Sequence, residues 1–183
     1  MFERRFSTGE SLYIFDDVFT SLQVNDFARY AATSLYKRIP VYASSQNTRS
    51  NNEEFFGSVL SETDIGIFGI FNTQGLRAFN THFKDMSIKR AWILCAENGT
   101  KYIYHTDDGK GAITMLYYMN TFWHPEWGGE TMFCNNIGEP EIIVACKPNR
   151  VVIFPANLLH KPSGTSRDSA TRYTFTTTFI KNE

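Results

Sequence analysis

From Ser87 to the C-terminus the chain is almost entirely a run of short, strand-length apolar segments. "IKRAWILCAE", "KYIYHTD", "AITMLYYMNT", "GETMFC", "EIIVAC", "VVIFPA" and "TRYTFTTTFI" are separated by Asn-Gly, Asp-Gly, Gly-Gly, Gly-Glu-Pro and Lys-Pro-Asn. Apolar runs of that length, bounded by breakers of that kind, read as strands and turns. Sixteen Phe and nine Tyr suit such a sheet-rich fold, because large rings pack well across strands.

The first half reads differently. "LYIFDDVF" resembles a short strand that breaks at Asp16-Asp17. From Thr20 to about Leu35, Val24, Phe27, Ala28, Ala31, Ala32 and Leu35 recur at helical spacing and predict an amphipathic helix. A second helix is predicted over Thr73–Met86, with Leu76, Phe79, Phe83 and Met86 on one face. Residues 43–53, "ASSQNTRSNNE", are polar and breaker-rich, a surface loop or a flap over a site. Helices followed by closely spaced strands predict a mainly β fold, a sandwich or barrel buttressed by N-terminal helices. With 183 residues, no internal repeat and no linker, a single domain is expected over 1–183, with helical support over about 1–86 and the β core over about 87–181.

Composition removes several function classes. Net charge is −1 with Lys and Arg scattered, so no electrostatic footprint for nucleic acid is expected. No segment approaches the roughly 20 apolar residues of a membrane span, and "MFERRFSTGESLYIF" lacks the apolar run of a signal peptide. Cys95, Cys134 and Cys146 are an odd count without CxxC spacing, which predicts reduced, mostly buried thiols and a cytoplasmic protein.

Chemistry concentrates in three places. If "KYIYHTD" is a strand, His105 and Asp107 project from the same face. Alone, that pair is better read as a surface His beside a turn-capping Asp. His160 follows Asp107 by 53 residues, after the strand and Pro-containing turn of "VVIFPANLLHKPSG", far enough for several hairpin strands to bring it back. Two His and one carboxylate form the facial triad of mononuclear non-haem Fe(II) sites, although Zn tolerates the same donors. In "TRYTFTTTFI", Arg172, Thr174, Thr176 and Thr178 share one face, and Tyr173, Phe175 and Phe179 largely cover the other. A guanidinium in a row of hydroxyls is well suited to grip a carboxylate with parallel hydrogen bonds.

The conjunction of His105-x-Asp107, His160, and Arg172 twelve residues further on resembles the Fe(II)/2-oxoglutarate-dependent dioxygenases, and within them the prolyl-hydroxylase-like branch. "ENGTKYIYHTD" is similar to that branch's Gly-Thr turn into the first metal-ligand strand. "MLYYMNTFWHPEWGGETMF" is similar to its Tyr-Tyr-Leu-Asn strand, Trp-containing loop and Gly-Gly. The resemblance covers about residues 92–180.

It implies a double-stranded β-helix, a jelly-roll or cupin-like core, with iron held by His105, Asp107 and His160. It also implies 2-oxoglutarate as cosubstrate with O2, its far carboxylate on Arg172, with Tyr118 and Thr174 as hydroxyl partners. Where some relatives carry a cosubstrate-binding Tyr before the Gly-Thr turn, this chain has Cys95, and that role is not carried over. Trp127 is a candidate substrate contact in the variable loop. The implied activity is hydroxylation of a C–H bond, with prolyl hydroxylation of a peptide, a protein or free proline the leading substrate. A non-catalytic metal-binding module, or a cupin-like enzyme independent of 2-oxoglutarate, is the alternative.

Overall fold

Strand-forming stretches rich in Val, Ile, Phe, Tyr and Thr pair throughout as antiparallel ladders in the computed structural model, which describes residues 1–42, 49–61, 85–100, 102–135, 137–168 and 170–182. In chain order the elements are β1 (Phe2–Arg5), β2 (Ser11–Asp16), α1 (Ser21–Thr33), β3 (Lys37–Tyr42) and β4 (Arg49–Val59). They continue with β5 (Met86–Ala96), β6 (Ile113–Tyr118), β7 (Thr131–Cys134), β8 (Pro140–Val144), β9 (Arg150–Pro155), β10 (His160–Pro162) and β11 (Arg172–Lys181). Eight strands form a major sheet in the order β1-β2-β9-β6-β11-β5-β4-β3, and β10-β7-β8 form a minor one. The two sheets face each other as in a double-stranded β-helix, and neither closes into a barrel.

β6 and β9, in the middle of the major sheet, are buried on both faces, which is why they read as near-continuous apolar runs. On the outer face, α1 lays Val24, Phe27 and Ala31 against Phe19, Tyr117, Ile93 and Phe175. Tyr117 is gripped there by edge-on contacts with Phe19 and Phe27 at 4.9 and 5.7 Å. On the inner face, Leu116, Tyr118, Val152 and Phe154 meet Phe133 and Val144 of the minor sheet. Leucine- or phenylalanine-sized burial of this kind is worth about 1.5–3 kcal/mol per side chain, so this inner layer fixes the separation of the sheets.

α1 begins where Thr20 and Gln23 form a reciprocal capping box. It stops at Thr33, short of the predicted Leu35, and leaves Leu35 86% exposed and Ala32 on the solvent side. The first 61 residues are not mainly helical: among the described ones, four strands accompany the single helix, and β3 and β4 extend the major sheet. The helix predicted over Thr73–Met86 lies outside the described residues except at its end, where Met86 opens β5. Of the predicted loop or flap at 43–53, residues 43–48 lie outside the described residues, and 49–53 belong to β4.

Two local features bear on the site. Residues 102–107 of "KYIYHTD" are not a strand; among the described residues their ladder contact is the isolated bridge between His105 and His160. His160 follows the turn at 156–158, as expected, and there opens β10, paired with Phe133 of β7. All three cysteines are free and buried, as their sequence pattern predicts. No helix among the described residues is long and apolar enough to cross a membrane.

Candidate metal centre

His105 and Asp107 share a face without a strand to align them. The segment is held instead by main-chain bonds from elsewhere. His105 N donates to His160 O and His160 N to His105 O, both at 2.9 Å. Asp107 N and Asp108 N both donate to Ala156 O, at 2.8 and 3.1 Å. The carbonyl after β9 thus caps the ligand turn and sets Asp107 beside the two imidazoles.

The three side chains converge. His105 Nε2 lies 4.0 Å from Asp107 Oδ1, and His160 Nε2 lies 3.8 Å from Asp107 Oδ2. One ligand atom from each residue falls within 4.8 Å of the others. Each imidazole places Nδ1 on a carbonyl, His105 on Ile103 O at 3.1 Å and His160 on Leu158 O at 2.9 Å. A carbonyl only accepts, so Nδ1 carries the proton and Nε2 keeps its lone pair for a metal. Burial, then the neighbouring His160, pushes the His105 pKa down to about 4, so its ring is neutral at ordinary pH. His160, 4% exposed, is stacked on Phe133 at 5.6 Å and edge-on to Phe154 at 5.1 Å. Two imidazole nitrogens and one carboxylate suit Fe(II) and other divalent first-row ions.

A pocket lined by these three side chains extends to Arg172. Arg172 is 2% exposed and, among the described residues, faces no carboxylate. Its Nη2 donates to Thr131 Oγ1 at 3.1 Å, its Cζ lies 5.1 Å from the Tyr118 ring centroid, and its Nε has no hydrogen-bond partner among the described residues. Tyr118 OH and Thr131 Oγ1 are 2.9 Å apart. Thr174 and Thr176 line the same cavity with buried hydroxyls that have no hydrogen-bond partner among the described residues. A buried guanidinium without a counter-charge, among unpaired hydroxyls, is costly unless an anion fills the space. A dicarboxylate reaching from the metal ligands to Arg172 fits this donor set.

Thr114 and Thr131 escaped the sequence reading. Thr114 Oγ1 donates to Asp107 Oδ2 at 2.7 Å. Its place on the Tyr118 face of "ITMLYY", two strand periods away, was the available signal. Thr131 carried none, because its value comes from the Arg172 and Tyr118 it touches. Cys95 stands beside Tyr36 and Tyr173, one residue out of phase with Leu94, which is the side chain that lines the cavity.

Trp127 does not line this cavity. It ends a 3-10 turn, Pro125–Trp127, packed on Trp123 at 5.5 Å with the Arg167 guanidinium 4.8 Å above its ring. Trp123 is buried, its indole N–H on Gly128 O at 2.9 Å. Gly129 brings the chain back past Arg172 with φ +79°, and a Cβ there would sit 3.0 Å from Arg172 Cδ.

The family model of the 2OG-Fe(II) oxygenase superfamily matches residues 91–180. No curated protein sequence matches the chain. Among solved structures, a 2OG-Fe(II) oxygenase family oxidoreductase from Burkholderia pseudomallei aligns with a TM-score of 0.68 at 11% identity, covering 94% of this chain and 86% of that one. A Pseudomonas putida prolyl-4-hydroxylase aligns at 0.67 and 16% identity, covering 95% and 94%. A Trichoplax adhaerens prolyl hydroxylase, solved with a hypoxia inducible factor peptide fragment, also aligns at 0.67 and 16%, covering 93% and 83%. At such identities the structural likeness shows the shared fold.

Proposed function

We propose, from the premise that the chain belongs through residues 91–180 to the 2OG-Fe(II) oxygenase superfamily, that it is a prolyl-hydroxylase-like enzyme acting on a peptide, a protein or free proline. It is a 2-oxoglutarate-dependent oxygenase, and Fe(II) and 2-oxoglutarate are its cofactors. In our reading His105, Asp107 and His160 hold the iron, and Arg172 holds the far carboxylate of 2-oxoglutarate. Tyr118 and Thr174 complete that end of the pocket. The observation that carries this reading is one cavity with three metal-binding side chains at one end and an unneutralised guanidinium at the other.

Bound together, Fe(II) and 2-oxoglutarate supply O2-dependent hydroxylation of a C–H bond, with succinate and CO2 as the other products. The chain's own work is placement. The carbonyls of Ile103 and Leu158 fix both imidazole tautomers. Thr131 holds Arg172 and Tyr118 in one buried group, so a carboxylate meets a preformed partner with little ordering left to do. Leu94, Leu116 and Pro162 give the cavity its apolar wall.

Prolyl-type substrates are supported by the two prolyl hydroxylases of like fold, one of them solved with a peptide. We assign Trp127 a contact with substrate beyond the cavity, on the strength of its partly exposed ring in the β6–β7 loop. One oxygenase domain over 1–183 is supported by the continuous major sheet. Three buried free thiols support a reducing, cytoplasmic location.

The test is an anaerobic titration of Fe(II)-loaded protein with 2-oxoglutarate, following the visible metal-to-ligand charge-transfer band. A saturable band, lost in His160→Ala and weakened in Arg172→Ala, is expected. Iron-loaded protein that shows no band overturns the reading.

A further inference from the structure

The β5–β11 ladder skips one residue beside the metal centre. Thr178 opposes Arg90, whereas Phe179 opposes Ile88, so Lys89 is the extra residue of a β-bulge. Bulges turn side chains out of their regular direction and recur next to active sites. Here the bulge delivers two consecutive bases onto two consecutive acids. Lys89 Nζ lies 2.7 Å from Asp108 Oδ2. Arg90 Nη2 donates to the main-chain carbonyl of Asp107 and lies 3.4 Å from its Oδ1. The Arg90 guanidinium is itself held 5.2 Å from the Trp92 ring.

Resting on the reading of Asp107 as an iron ligand, we propose that Arg90 is a positioning residue of the metal centre, fixing the backbone and carboxylate of Asp107 together. Asp107 needs this because its segment is irregular. No strand ladder holds it, and its amide bond to Ala156 O restrains only one side of the peptide. Thr114 grips Oδ2, Arg90 approaches Oδ1, and the carbonyl bond stops the turn from rocking. The carboxylate then has one orientation before any metal arrives.

The guanidinium has two opposed effects on a divalent ion. Its charge repels the ion, and its grip removes the entropy the ligand would otherwise lose. Its side chain is 32% exposed, so water and salt damp the repulsion. The two-point grip is short-range and undamped, so it wins. Lys89 carries the same charge nearby but touches only Asp108, which makes it the internal control.

The experiment is a Co(II) titration of metal-free wild type, Arg90→Ala, Arg90→Lys and Lys89→Ala, read by affinity and by the visible d–d spectrum of the bound ion. Arg90→Ala should weaken Co(II) binding about 10- to 100-fold, the usual range for groups that orient ligands, and should alter the spectrum. Arg90→Lys, which keeps the charge but loses the guanidinium held near Trp92, should fall between. Lys89→Ala should match wild type. Wild-type or tighter affinity in both Arg90 variants overturns the proposal, as does an equal loss in Lys89→Ala. Wild type that binds no Co(II) at this site removes the metal-centre reading itself and the proposal with it.

Discussion

His105 and His160 are joined main chain to main chain, each amide donating to the other's carbonyl at 2.9 Å, while their rings stand 4.4 Å apart. The pairing of the two segments is therefore independent of the imidazoles. Replacing either ring with an amide should remove a metal donor and leave the bridge intact.

His105→Gln and His160→Gln should each keep the far-ultraviolet circular dichroism of the wild type and lose Mn(II) or Co(II) affinity by at least about 100-fold. That exceeds the effect of removing a group that merely orients a ligand. Calorimetric titration measures it, and a variant that retains wild-type affinity takes its residue out of the ligand set.

Arg172→Met tests whether the buried guanidinium serves the ligand rather than the fold. Its charge lacks a carboxylate partner among the described residues, so a similar-sized apolar side chain should leave the ligand-free protein as stable or more stable. The rise in melting temperature on adding Mn(II) with 2-oxoglutarate should disappear, because that rise depends on binding to the folded state. Lower stability without ligand, with the rise intact, would contradict this.

Gly129→Ala should separate the two ends of the pocket. Its Cβ would lie 3.0 Å from Arg172 Cδ and 3.1 Å from Trp123 Cζ2, at a backbone φ of +79°. The left-handed conformation alone costs about 1–2 kcal/mol. We expect a lower melting temperature and weaker 2-oxoglutarate binding with unchanged metal affinity. Equal losses in both affinities would mean that the strain spreads to the ligand end.

Acid stability should report on Asp16, which joins β2 to β9. Arg150 binds it through Nε at 2.6 Å and Nη2 at 3.0 Å, with Lys147 at 2.9 Å. The Arg150 hydrogen bond, opposed by burial and aided by Lys147, pulls its pKa from 3.8 to about 2. A depressed carboxylate pKa adds stability that is fully present above 3.8 and is lost as pH falls towards 2. Asp16→Asn should cost about 1 kcal/mol at neutral pH, allowing for the pair's partial exposure. Urea melts at stepped pH should show wild type and variant converging between pH 4 and 2; a constant gap would refute the linkage.

Much of the β core was legible because period-2 alternation and turn residues are local signals. "TRYTFTTTFI" shows it best: Phe175 packs on the α1 face and Arg172, Thr174 and Thr176 on the cavity face, as alternation requires. The "KYIYHTD" segment failed because its strand-like composition is overridden by bonds to Ala156 and His160, which no local window contains. β3 and β4 escaped for a similar reason. The polar "RSNNE" belongs to β4, whose residues 56–59 pair with β5 and whose other side lies along β3.

By itself the sequence determined the donor types, their order and the face each strand offers. Those follow from side-chain chemistry and backbone periodicity. Only the tertiary structure decided that Ala156 and the His105–His160 bridge would bring the donors together. It also decided that Thr131 would hold Arg172, and that a bulge at Lys89 would aim Arg90 at Asp107. Such contacts join residues far apart in the chain, and their geometry exists only once the sheets have closed over the shared inner core.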